Sequence, residues 1–376
     1  MSRAISIGIG MLVAVFLAYA GPSVNADRWR VLYFYDELKS SLVINDFKFL
    51  NTERGVAAGF LVDPKGKIKP TALTTDDGGA HWSPSPLKEV PISLFFLNEN
   101  RGWMVGDKSI WRSEDGGRTW RSLSPLEDAL RVHFLNPDHG WAVGEHKKVY
   151  ETNDGGKEWK ELPAAARPES SPDRTVYNWI DFAGTKAGII TGWNPPQRSS
   201  PLGVPSWMNP NESRFRRETP RVSIFLQTHD GGKTWDASTG SLFGHVTCVR
   251  LSLAGFGLGV IEFSESFEWP SEVFRIDWTS GKSQRVFRQQ NRLITDVALP
   301  PTGPAYLVGM EKLDRLSESP VPGKLKVWRS DDHTNWQEME VDYRATAHRA
   351  MISALDDRNI WIATDTGMIL KVAESK

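Results

Sequence analysis

The chain is nearly empty of cysteine: Cys248 is the single thiol in 376 residues. One thiol excludes an intrachain disulfide and every zinc site built from paired cysteines. Neither sign of charge is in excess, since 45 Lys and Arg face 46 Asp and Glu. Nothing in that balance points to nucleic acid or to a partner drawn by bulk charge. There is no Gly-x-Ser-x-Gly elbow and no phosphate loop. The string Gly255-Phe256-Gly257-Leu258-Gly259 lacks the spacing and the following helix of a dinucleotide site. No cofactor is expected, and no segment after the first 26 residues is apolar enough to cross a bilayer.

That first stretch reads as an export signal. Arg3 supplies the positive start, Ile5 to Ala20 form an uncharged, mostly apolar run, and small residues end at Ala20 and again at Ala26. Cleavage after one of those two positions is expected, leaving 27–376 as one exported domain in the periplasm or outside the cell. The competing reading is an uncleaved anchor.

What the chain has in abundance is a repeated phrase. Four segments, Thr75 to Trp82, Ser113 to Trp120, Thr152 to Trp159 and Thr228 to Trp235, share the pattern Ser/Thr-x-Asp-Gly-Gly-x-x-Trp. Their aspartates, Asp77, Asp115, Asp154 and Asp230, are spaced 38, 39 and 76 residues apart, so one unit between the last two lacks the motif. A fifth, shorter version runs from Ser330 to Trp336 without the glycines. An Asp side chain that accepts backbone amides just ahead of it favours a turn, and Gly-Gly supplies positive φ. The tryptophans Trp82, Trp120, Trp159 and Trp235 offer large apolar faces for packing between sheets. Strand-like runs flank each turn, as in Lys148 to Thr152, so the unit is a hairpin and not a helical pair.

A second phrase, Gly102-Trp103-Met104-Val105-Gly106 and Gly140-Trp141-Ala142-Val143-Gly144, precedes the turns, with looser copies that bring the total to seven. Each follows another apolar run. The unit is therefore a four-stranded meander, labelled a to d, with the Asp turn between c and d. Seven such units predict an all-β, seven-bladed propeller, an architecture that protects sheet edges by radial repetition. The last unit ends after three strands, and the run Trp29 to Phe34 is expected to supply its fourth.

These paired phrases resemble the BNR or Asp-box propellers, and most closely the photosystem II stability/assembly factor family, strongest over 88–165 and weaker over 43–341. The resemblance implies a non-catalytic scaffold that binds a protein or an assembly intermediate of a membrane complex, and that presents arginines to it. Asp boxes also occur in sialidases and other glycosidases, so a glycan-binding or glycoside-hydrolysing propeller is the alternative.

Meander order assigns each connection to a rim. The a–b and c–d turns share one rim, and the b–c and d–a connections share the other. The expanded segments 60–70, 193–221, 262–272 and 310–323 are b–c, and Pro163 to Thr175 is d–a. All fall opposite the Asp boxes, on a rim where loops carried by a rigid scaffold favour binding. The 193–221 insertion holds Arg198, Trp207, Arg214, Arg216, Arg217 and Arg221 with few acids, a set suited to gripping carboxylates or an acidic protein surface. The expected protein is a monomer with a protein partner, the glycan being the alternative ligand.

Enzyme readings have less to build on. A sialidase would need an early Arg-Ile-Pro signature, and the nearest string is the late Arg275-Ile276-Asp277. Glu262, Glu265, Glu268 and Asp63 are the carboxylates a glycosidase could draw on. His133, His139 and His146 fall on a strand and on two different rims, so no histidine metal site is expected. Calcium at the Asp boxes is not expected either, with one or two carboxylates per loop. Cys248 reads as a buried small hydrophobe.

Overall fold

The computed structural model describes residues 29–194, 221–263, 269–311, 323–341 and 347–373. Over these the chain forms seven antiparallel sheets of four strands. The a strands, Ser41–Phe49, Pro91–Phe96, Ala129–Phe134, Val176–Ala183, Gly244–Leu251, Arg292–Ala298 and Ala350–Ala354, pack side by side around a central channel. In the seventh sheet Trp29–Phe34 pairs with Met368–Val372, placing Trp29 opposite Val372 and Phe34 opposite Met368. The ring is thus closed by hydrogen bonds between the two ends of the chain.

The b strands are the most buried. All five residues of Gly102–Gly106, Gly140–Gly144 and Ile360–Thr364 are covered, as expected for strands packed on both faces. Gly144 is required by crowding, because a Cβ there would sit 2.0 Å from the Asp128 carbonyl.

Each Asp box closes through two side chains rather than one. In the third blade Thr152 Oγ1 donates to Asp154 Oδ1 at 2.8 Å and accepts from Gly156 N at 3.0 Å. Asp154 Oδ1 in turn accepts from Lys157 N and Glu158 N. Ser113, Thr75 and Thr228 repeat the arrangement. The amides hold the carboxylates below their ordinary range, and Asp230 reaches about 2, first through Thr234 N and then Thr234 Oγ1. The glycine-free version survives: Asp332 accepts from Ser330 Oγ, Thr334 N and Asn335 N, with His333 at φ 60°. Box glycines also bond to the a–b turn of their own blade, as in Gly155 N to Asp138 O at 2.8 Å, so boxes and a–b turns share a rim as the meander requires.

The two repeated phrases meet across blades. Trp103 of the second blade donates to Gly155 O of the third blade's box at 3.0 Å and stacks on Phe134 at 3.8 Å between ring centres. Trp361 of the last blade does the same to Gly78 O and Phe49 of the first, at 3.0 and 3.7 Å. Trp141 stacks on Phe182 at 4.9 Å and lies so near the following box that a Cβ on Gly232 would be 2.1 Å from its ring. Blade-to-blade cohesion is therefore written in the pairing of the Gly-Trp strand with the next Asp box.

Three expectations change. The boxes of Asp154 and Asp230 close the c–d turns of consecutive blades, so no unit lies between them; the long connection from Asn194 to Arg221 doubles the interval. Residues 60–70 are not one loop: the b strand runs to Val62 and the c strand starts at Ile68, with a tight turn between. Residues 163–175 contain two short 3-10 turns, Pro163–Ala166 and Pro172–Arg174. That segment is pinned by Lys147, whose Nζ donates to the carbonyls of Ala166, Pro168 and Ser170.

Candidate functional site

Six of the a strands carry a register shift, between Ile44 and Asp46, Pro91 and Ser93, Ala129 and Arg131, Tyr177 and Trp179, Val246 and Cys248, and Ile294 and Asp296. A bulge re-aims the side chain that follows it, so a shared break sets Asp46, Ser93, Arg131, Trp179, Cys248 and Asp296 at one level of the ring. Bulged residues also link the blades. Asn45, Asn178 and Thr295 donate to the carbonyls of Pro91, Val246 and Ala350 on the next a strand, at 2.7, 2.8 and 2.7 Å.

Charged groups at the centre are of two kinds. The carboxylates are clamps. Asp46 accepts from Phe47 N, Lys48 Nζ and Leu94 N at 2.8, 3.0 and 2.8 Å. Asp296 accepts from Val297 N and Ile352 N, and Asp181 Oδ2 accepts from Leu251 N at 2.7 Å. Each thereby takes an amide of the next blade's a strand. Burial alone would raise Asp46, but Lys48, Arg131 and the Leu94 amide outweigh it and hold the carboxyl at about 2. Asp181 has weaker compensation, chiefly Arg250, so burial wins and lifts it to about 6. His133, 3.8 Å from Asp181, is pushed down to about 3 by burial and by Arg250.

The cations are less committed. Arg250 donates to Val297 O at 3.2 Å and Asp296 at 3.4 Å, and Arg349 donates to Asn45 O. Arg131 approaches Asp46 only to 3.8 Å. Arg131 and Arg250 both lie against the Trp179 ring, at 3.9 and 4.8 Å from its centre, while the Trp179 indole N–H donates to Val249 O at 2.6 Å. Two cavities adjoin this group. One, of about 450 Å³, extends toward the Asp-box rim past Phe95 and Leu97. The other, of about 260 Å³, extends past Glu262, Leu293 and His348 toward the opposite rim. Lys48, Arg131, Trp179 and Arg250 line both.

Of the residues singled out in the insertion, Arg198, Trp207, Arg214, Arg216 and Arg217 lie outside the described residues. Arg221 opens a c strand and lies over Trp193 at 4.8 Å, within 3.3 Å of His245. The insertion departs from Asn194 and returns at Arg221, which makes it a b–c connection. The other expanded b–c and d–a connections also join strands in that order.

Among the glycosidase candidates, Glu262 lines the smaller cavity. Asp63 is spent on its own turn, accepting from Lys65 N and Lys67 N, and Glu265 and Glu268 lie outside the described residues. Arg275 covers the Phe256 ring at 4.7 Å. His139 pairs with Glu151 and His146 with Asp128. The latter pair and Glu145 form an exposed trio whose ligand atoms lie within 4.8 Å of one another.

Cys248 is buried as expected, but not among apolar groups alone. Its Sγ sits 3.7 Å from Asp296 Oδ1, and burial pushes the thiol up to about 12. The polar ring is what the sequence reading missed. The signal was present as isolated charges in otherwise apolar a strands, such as Arg131 in Ala-Leu-Arg-Val-His-Phe.

The family "Photosynthesis system II assembly factor YCF48" matches residues 123–196. The chain resembles the photosystem II assembly-factor propellers. In three dimensions it is similar to a structure of "YCF48 bound to D1 peptide", with a TM-score of 0.58, 15% identity, and coverage of 94% of this chain and 99% of that one. YCF48 from Cyanidioschyzon merolae gives 0.55 at 15% identity, covering 92% and 98%. The WD40 propeller domain of Doa1 gives 0.54 at 10%, covering 93% and 98%. At these identities the likeness establishes the propeller. No curated protein matches the chain in sequence.

Proposed function

We propose that this is an exported, non-catalytic propeller that binds a protein, or an intermediate in the assembly of a larger complex, through the rim opposite its Asp boxes. The observation that carries the reading is the one-sided placement of chain: the long connections after Asn194, Phe263 and Glu311 all join b to c strands, and the pinned 163–175 segment joins d to a. Loops positioned by a rigid scaffold are where binding residues concentrate. The likeness to a propeller described as bound to a D1 peptide supports a protein ligand, and the 123–196 match supports an assembly role.

The glycan-hydrolysing alternative draws no support from the aspartates of the channel waist. Glycoside hydrolysis needs two carboxylates open to substrate, whereas Asp46, Asp181 and Asp296 are engaged by amides of the neighbouring blade. The test is capture from native periplasm with the tagged protein, comparing wild type with a variant carrying Arg214→Glu, Arg216→Glu and Arg217→Glu. Loss of the captured partner with an unchanged Tm is expected; equal capture by the variant rejects the arginine patch.

A further inference from the structure

The channel waist has a chemistry of its own. Two of its acids are saturated: both oxygens of Asp46 accept short bonds, and Asp296 is held by two amides and Arg250. Arg131 is different. No hydrogen bond to its guanidinium occurs among the described residues, and its nearest acid, Asp46, stands at 3.8 Å, beyond hydrogen-bond reach. Burial presses its pKa down, Asp46 offsets part of that, and the like charges of Arg250 and Arg349 press it down further. A half-buried planar cation, beside a second arginine on the same indole and only loosely paired with Asp46, keeps donors for a further anion. Guanidinium groups match carboxylates two bonds at a time.

We propose that the central channel binds a carboxylate at Arg131 and Arg250, entering through the cavity lined by Glu262, Leu293 and His348. That cavity, about 260 Å³, is slightly below the usual range of small-molecule sites, roughly 300–1,000 Å³. It suits a single acidic side chain, a chain terminus or a small dicarboxylate, and not an extended glycan. Trp179 provides the flat wall, and its N–H is already used by Val249 O, so it shapes the site without competing for the ligand. Lys48 stands at the same waist but is bound to Asp46, which leaves Arg131 as the principal donor. The site goes beyond the rim reading and stands or falls separately from it.

The experiment is calorimetric titration of the whole protein at low ionic strength with three probes: glutarate, a hexapeptide with a free C-terminus and neutral side chains, and the same hexapeptide amidated. Binding of glutarate or of the free-acid peptide, at least tenfold tighter than of the amide, is expected, and the one that binds identifies the source as a small acid or a protein end. Arg131→Gln should weaken that binding at least tenfold, while Arg131→Lys, which keeps charge but loses the fork, should fall between. Raising the salt should weaken binding to wild type more than to Arg131→Gln. No preference for either carboxylate over the amide overturns the proposal. So does an Arg131→Gln protein that is folded by circular dichroism and binds as tightly as wild type.

Discussion

Removing the Trp361 side chain tests how the ring is sealed. That indole belongs to the last blade, stacks on Phe49 of the first at 3.7 Å and 8°, and donates to the first blade's Gly78 carbonyl at 3.0 Å. It is fully buried. Truncating a buried tryptophan to alanine costs about 3–5 kcal/mol. Unfolding entropy of about 2.1 cal/mol/K per residue makes each kcal/mol worth about 1.3 °C in a chain of this length. Trp361→Ala should therefore lower Tm by about 4–7 °C in differential scanning calorimetry. Trp103→Ala, with the same stack and hydrogen bond between the second and third blades, should cost about as much. The two differ in consequence, because only the first sits at the seam closed by Trp29–Phe34. Limited proteolysis should cut near residue 35 sooner in Trp361→Ala than in Trp103→Ala. A Trp361→Ala protein melting within 1 °C of wild type would refute the seam argument.

Thr152→Ala removes the hydroxyl that accepts from Gly156 N. It should destabilise by about 1–2 kcal/mol in urea unfolding, with Thr152→Ser nearly neutral, since a buried amide left unpaired costs about that much. His133 and Asp181 should impose opposite pH slopes. With its pKa raised from 3.8 to about 6, Asp181 costs stability as pH rises through 4 to 6, by up to about 3 kcal/mol at about 1.4 kcal/mol per unit. His133, lowered from 6.5 to about 3, stays neutral in the fold while the unfolded chain takes a proton, so stability falls as pH drops below 6.5. Melting curves between pH 4 and 6 should thus rise more steeply with pH for Asp181→Asn and less steeply for His133→Gln; parallel shifts would contradict the assignment.

The fold was legible because its signals are local. A box such as Thr152 to Trp159 fixes its own turn through side chains two to four residues apart, and repetition at about 40 residues announces a closed ring. The seam was legible because the last unit, ending at Val372, lacks a strand that Trp29–Phe34 can supply. The channel was less so. Whether Arg131 faces a core or a channel depends on bulges, and those are set by neighbouring blades and not by any turn residue nearby. Its partners, Asp46 and Trp179, lie 85 and 48 residues away in sequence, at separations no local pattern encodes. The insertion was recognisable by composition, being rich in proline, arginine and tryptophan, but composition specifies no geometry.

The most direct measurement of the functional claim is hydrogen exchange of the protein with and without its captured partner. Protection is expected in the b–c and d–a connections, at 163–175, at 193–221 and around Glu262 and His348, with the box turns at 76–81, 114–119 and 153–158 exchanging as before. Protection confined to the box turns would put the partner on the other rim and contradict the account.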